Sequence, residues 1–189
     1  MRHFVVAGLA VWLAGCATPH APVQVAPSSP LLSQDAPWSL QGRIALKAGE
    51  NSLSGQLHWQ HQKNQETLLL LSPFGQSVAR IVSDAQGVLL EIPKQPPRRA
   101  PDAESLTRDA LGVGLPLAGL SHWIQVRPDP ARPSEQMLDA TGRIAQIRQD
   151  GWVIDYLEYM SDSTYRPRKL NIVRDGLEIR LVVDTWETE

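Results

Sequence analysis

Few side chains in this sequence are of types that do chemistry, and their spacing argues against most of the chemistry they could do. Cys16 is the single cysteine, so no intramolecular disulfide can form. Of the five histidines, His3 and His20 lie near the amino terminus, and His58 and His61 fall three apart in a segment with strand alternation. An odd separation on a strand sends two side chains to opposite faces, which makes a poor metal pair. Ser121 and His122 adjoin without the G-x-S-x-G elbow of a hydrolase, which leaves them a solvated or capping role. GVGLPLAG carries Gly112 and Gly114 but has Leu117 where the third glycine of a phosphate loop would fall, and a helical pattern rather than a strand precedes it. Asp155 and Glu158 occupy strand positions of opposite parity, as surface charges do. The sequence therefore predicts no catalytic constellation, no metal site and no cofactor.

Cys16 is better explained by what precedes it. Arg2 supplies a positive charge, Phe4 to Leu13 form a short apolar run, and the segment closes on Leu13, Ala14, Gly15 and Cys16. This is the pattern of a secretory leader with a small-residue cleavage site, residues 1–15, and the run is about half the ~20 residues that span a hydrocarbon core. LAGC resembles the lipobox of bacterial lipoproteins, which implies that Cys16 becomes the acylated amino terminus. Ala17, in place of the aspartate that retains such proteins in the inner membrane, implies the outer membrane as destination, with the chain facing the periplasm.

Removing the leader leaves 17 basic and 20 acidic side chains, a balance that argues against a nucleic-acid partner. Residues 16–37 then read as an extended tether, with five prolines after Cys16 and no periodicity. Residues 38–189 are long enough to bury one core.

That domain alternates. In WSLQGRIALK, Trp38, Leu40, Ile44 and Leu46 share one face, and SLSGQLHWQ repeats the pattern with Leu53, Leu57 and Trp59. Strands follow at 67–71, 78–82 and 88–92, giving a five-stranded meander. After the break KQPPRRAP, Asp102 is placed to cap a helix that ends at Gly112, with Ala103, Leu106 and Ala110 on one side. A second short helix starting at Pro116 groups Leu117, Leu120 and Ile124, with Trp123 adjacent. Strands return at QMLDA, RIAQIRQ, WVIDYLEY, RKLNIVR and LEIRLVVDT, with Asp150-Gly151 and Asp175-Gly176 as hairpin turns. A sheet that wide must curl or close, and two apolar helices are suited to plug its hollow side.

LLLLSPFGQS is the odd segment, because both parities of a strand are apolar and the turn that follows carries Phe74. LSPFGQ, LGVGLPLAGLSHWIQ, RIAQIRQDGWVIDY and LVVDTW together resemble the LolB family of outer-membrane lipoprotein receptors, over Trp38 to Trp186. The resemblance implies a mainly β fold: an unclosed, strongly curved antiparallel β-barrel of about 10–11 strands with a short α-helical lid over an apolar cavity. It also implies receipt of acylated lipoproteins from the periplasmic carrier LolA, delivery into the outer-membrane bilayer, and no enzyme activity, with a monomer expected. Phe74 matches the family's membrane-insertion turn, where relatives often carry leucine. Strand parity then nominates Ile44, Leu46, Leu57, Trp59, Leu69 and Leu71 as the wall of an acyl-chain cavity, with Leu106, Leu117, Leu120 and Ile124 from the lid. The rival expectation is a structural, scaffolding outer-membrane lipoprotein that has the anchor and the sheet but no transfer role.

Overall fold

The computed structural model describes residues 36–162 and 165–188, so the leader, Cys16 and most of the proposed tether lie outside the described residues. The described residues form eleven strands and two helices in the order β1 (Trp38–Ala48), β2 (Asn51–Gln62), β3 (Gln65–Leu71), β4 (Ser77–Asp84), β5 (Gly87–Glu91), β6 (Arg98–Ala100), α1 (Ala103–Leu111), α2 (Leu117–Trp123), β7 (Ser134–Leu138), β8 (Ile144–Gln149), β9 (Trp152–Tyr159), β10 (Pro167–Arg174) and β11 (Leu177–Thr188). All strands belong to one antiparallel sheet ordered β6-β5-β4-β3-β2-β1-β11-β10-β9-β8-β7. The chain thus begins at the middle of the sheet, walks out to one edge, crosses through the helices to the other edge, and walks back to β1. The two edges do not pair, and the curled sheet stays open.

The local chemistry explains the hairpins. Asp150 and Gly151 have φ of 52° and 77°, and Asp175 and Gly176 have 44° and 81°. Two successive left-handed residues twist with the flanking strands, and aspartate and glycine adopt them at least cost. Between β1 and β11 the register slips at Gln41/Gly42, and a Cβ on Gly42 would sit 2.2 Å from the Val182 carbonyl oxygen. Only glycine allows the backbones to approach that closely at the centre of the sheet.

β6 carries no strand signal in the sequence. RRA has no apolar alternation and follows Pro96 and Pro97, yet Arg98 to Ala100 pair with Leu90 to Val88 as an edge strand, where a proline-led entry is tolerated. α1 matches the sequence closely. Asp102 accepts from the Ser105 N–H at 2.8 Å and Gly112 caps the far end at φ 76°. The Ser105 N–H and hydroxyl hold the Asp102 carboxyl below its ordinary range.

The core is the concave face filled by the helices. Leu40, Leu57, Trp59, Ile81, Leu90, Ile147, Ile154, Leu170, Ile172 and Ile179 are fully buried there. At the start of β1, Trp38 packs against Trp59 and Trp186, each with ring centroids 5.3 Å away. That end of the sheet also holds the β2–β3 turn. The β1–β2, β3–β4, β5–β6, β8–β9 and β10–β11 turns lie at the opposite end, because each antiparallel step reverses direction.

Candidate functional site: the lidded interior and an apolar turn

α2 is seven residues of which Leu117, Leu120 and Trp123 are buried, and Ile124 follows them inward. Its Gly119 makes room for Trp123: a Cβ there would lie 2.4 Å from the indole ring, so the ring folds back over its own helix. Trp123 Nε1 donates to Gln149 Oε1 at 3.1 Å, and its ring meets Trp152 at 5.6 Å. Gln149, a buried amide, also accepts from the Asp129 N–H and donates to the Asp129 and Arg132 carbonyls, which satisfies it and pins the chain after α2. Tyr156 donates to the Trp123 carbonyl at 2.7 Å, and burial pushes its phenol well above the ordinary value.

A second group of contacts joins α2 to the other half of the sheet. Ser121 Oγ donates to Glu66 Oε1. Glu66 also accepts from Trp59 Nε1 at 3.2 Å and faces His61 Nδ1 at 3.2 Å. Ser121 is half-buried and straps the lid to β3. α1 is tied at its two ends, Glu104 to Arg174 and Gly112 to Asn51, the latter a 3.4 Å hydrogen bond from Asn51 Nδ2. The helices are thus apolar plugs held by a handful of polar contacts at their margins.

Most of the residues nominated for the wall converge here. Ile44, Leu46, Leu57, Trp59, Leu106, Leu117, Leu120 and Ile124 are all buried in one core cluster. Leu69 and Leu71 are not, and the parity chosen for β3 is corrected. Leu68 pairs with Trp59 and Ile81, and Leu70 with Leu57 and Ala79, all on the concave face, while Leu69 and Leu71 are half-buried on the convex one. Directly opposed residues share a face, so the neighbouring strands dictate this choice, which four identical side chains cannot.

Among the described residues the expected hollow is largely filled by side chains. A pocket lined by Leu46, Leu53, Leu70, Ile81, Thr107, Leu111, Val113 and Leu115 has a volume of about 10 Å³, room for one water at most. Val113 and Leu115, from the link between the helices, and Trp123 fill space that the sequence reading assigned to ligand. Glu66 escaped notice because a lone glutamate in a strand looks like surface charge.

At the far end of β3 the chain presents an unusual turn. Ser72 and Gly75 close it, with Ser72 N–H to the Gln76 carbonyl at 2.7 Å and Gly75 N–H to the Ser72 carbonyl at 2.9 Å, and Gly75 has φ of 79°. Ser72 Oγ further accepts from the Phe74 and Gln76 N–H groups at 3.3 and 3.2 Å. The backbone is satisfied internally, and Phe74 at its tip is 92 % exposed. A phenyl ring in that position contributes nothing to the core and forgoes the 1.5–3 kcal/mol that burial would give.

The model of the family described as "Outer membrane lipoprotein LolB" matches residues 36–186. The chain belongs to the LolB family. An outer-membrane lipoprotein LolB of Thiobacillus denitrificans is 55 % identical over 99 % of this chain and 98 % of its own. One of Nitrosomonas europaea is 36 % identical over 97 % and 92 %. Among solved structures, a DUF1329 family protein of Desulfovibrio piger is similar at a TM-score of 0.54, covering 82 % of this chain and 86 % of its own at 7 % identity, which speaks for the fold alone. These two relatives match nearly the whole sequence, and the chain is accordingly an outer-membrane lipoprotein of this family. No helix among the described residues is long and apolar enough to cross a membrane.

Proposed function

We propose that this LolB-family chain, anchored through an acylated Cys16, takes lipoproteins as a monomer from the periplasmic carrier LolA, holds their acyl chains against the concave face, and releases them into the outer membrane beside Phe74. The observation that carries this is the plug itself. Two short helices lay Leu106, Leu117, Leu120, Trp123 and Ile124 on an apolar sheet face that acyl chains would fit equally well. An acyl chain of roughly fifteen carbons carries on the order of 12 kcal/mol of apolar transfer free energy at ~0.8 kcal/mol per methylene. It cannot cross water bare, and it needs a greasy surface more than a specific polar grip.

An interior filled by its own side chains is compatible with that role because the exchange is apolar for apolar. Opening the lid onto water would cost ~1.5–3 kcal/mol for each large side chain exposed, whereas lifting it onto an incoming acyl chain keeps those side chains dry. The helices would swing away from Glu66 and Gln149, and the cargo would take their place on Leu57, Trp59, Leu68 and Leu70. Delivery then runs downhill to the bilayer without a chemical step.

Photo-crosslinking residues at Leu117 and Phe74, introduced one at a time into the lipidated protein, test this reading. Lipoprotein adducts are expected at 117 and lipid adducts at 74. Absence of any cargo adduct at 117 under active transfer would remove the interior from the route and leave a scaffolding lipoprotein as the better description.

A further inference from the structure

Most arginines in this protein are matched. Arg43 pairs with Asp184, Arg80 with Glu91, Arg108 and Arg174 with Glu104, Arg132 with Asp129 and Asp150, Arg143 with Asp139, Arg168 with Glu158 and Arg180 with Glu178. Lys94, Arg98 and Arg99 are not matched, and unlike Lys47, Lys63, Arg148 and Lys169, which also lack a carboxylate contact among the described residues, and Arg166, which donates to Thr188, all scattered along the chain, they are grouped. All three are exposed within six residues of chain and have no carboxylate partner among the described residues. The nearest acidic group on the adjoining strand, Glu91, is already committed to Arg80 at 2.7 Å. The full chain has a net charge of −2, so this cationic cluster is a local feature rather than a sample of the whole surface.

Its position gives it meaning. Lys94 lies in the β5–β6 turn and Arg98 and Arg99 open β6, at the same end of the sheet as the β3–β4 turn. The two turns belong to successive hairpins, so they sit two strand spacings apart, ~10 Å. Pro93, Pro96 and Pro97 stiffen the cationic turn, and the Ser72 hydrogen bonds order the apolar one. An exposed phenyl ring with cations held at its flank matches the chemistry of a bilayer surface with negative headgroups: the ring enters the acyl boundary and the cations stay with the phosphates.

We infer that the end of the sheet formed by Phe74, Lys94, Arg98 and Arg99 is a docking surface for anionic phospholipid, and that these cations orient the cargo exit toward the bilayer. This deepens the proposed function and rests on its assignment of the exit to Phe74. A tether alone keeps a domain near a membrane but does not choose which end faces it. Each cation near an anionic surface contributes roughly fivefold in partitioning, so the three together favour this end by about a hundredfold, and screening shortens the effect as salt rises.

The test uses the full mature chain with Cys16→Ala, so that no acyl anchor supplies attachment, and measures co-sedimentation with vesicles of phosphatidylcholine alone or mixed with phosphatidylglycerol. Binding to the mixed vesicles is expected, weakened at high salt. It should fall about a hundredfold in Lys94→Gln/Arg98→Gln/Arg99→Gln and persist in Arg98→Lys/Arg99→Lys. It should also persist in Lys63→Glu/Lys169→Glu, which alters exposed cations elsewhere, and thermal unfolding confirms that each variant is folded. Equal binding to neutral and anionic vesicles, or a triple variant that binds like the parent, would overturn the inference. So would a triple variant that docks normally but loses uptake from the carrier, since the cluster would then recognise a protein. Cargo capture by the unsubstituted chain is scored in parallel: failure there sinks the transfer reading and leaves the vesicle result to stand or fall separately.

Discussion

Two hairpin turns at the same end of the sheet solve one geometric problem in opposite ways. The β10–β11 turn uses Asp175 and Gly176 in left-handed conformations, two residues, polar and compact. The β3–β4 turn is longer, wraps its N–H groups around Ser72, and lifts a phenylalanine to the tip. Either design reverses the chain, so strand reversal does not account for Phe74. The contrast teaches that one turn is explained by the fold, whereas the other carries an exposed ring that the fold does not require and that the proposed function assigns to the bilayer.

Substitutions can break or sharpen that contrast. The largest expected effect on transfer comes from Phe74→Glu, which removes at least ~2 kcal/mol of apolar contact with a bilayer, about thirtyfold in insertion, while cargo capture and the thermal midpoint stay near the parent's. Insertion into liposomes at the normal rate by that variant would dissolve the distinction between the turns. Next comes the hairpin's own two faces. Leu68→Ala should cost about 2–5 kcal/mol of unfolding free energy, as a buried leucine does, and Leu69→Ala less than ~1 kcal/mol; denaturant titration reporting the reverse order would contradict the register described above. Smaller again, Gly75→Ala and Gly176→Ala each force a side chain into a left-handed backbone at about 1 kcal/mol. Their costs in stability should match, but only Gly75→Ala should slow insertion. The least is Ser72→Ala, roughly 0.5 kcal/mol for exposed hydrogen bonds, visible as faster amide exchange at Phe74 and Gln76 and not in the thermal midpoint.

Much of the architecture could be read from residue order because local chemistry and fold agree there. Aspartate followed by glycine between alternating segments leaves little choice of turn, and Asp102 with Gly112 bounds α1 at both ends. The misreadings occur where local chemistry carries no preference. Four leucines give no parity, and the side of β3 that faces inward is decided by Trp59 and Leu57 on one neighbour and Ile81 and Ala79 on the other. RRA has the look of a loop and becomes a strand because β5 offers an edge to pair with. Periodicity identified the apolar faces of sheet and lid, but whether two greasy surfaces touch each other or enclose something between them is a matter of their separation, which no periodicity encodes. For the same reason most of the nominated wall residues lie together in the interior, while the strap from Ser121 to Glu66, joining residues 55 apart in sequence, went unseen.

The chain enters β1 at Trp38, at the end of the sheet remote from Phe74. With Cys16 as the anchor and Phe74 at the bilayer, as proposed, the residues between Cys16 and β1 have to double back along the whole body. β1 alone is eleven residues, ~36 Å at 3.3 Å per residue. The stretch from Cys16 to Pro37 can reach roughly 70 Å when fully drawn out, about twice that distance. Under the proposed function the length of that stretch is a requirement rather than slack: halving it would bring its full reach down to about the length of β1 alone, and delivery is then expected to fall.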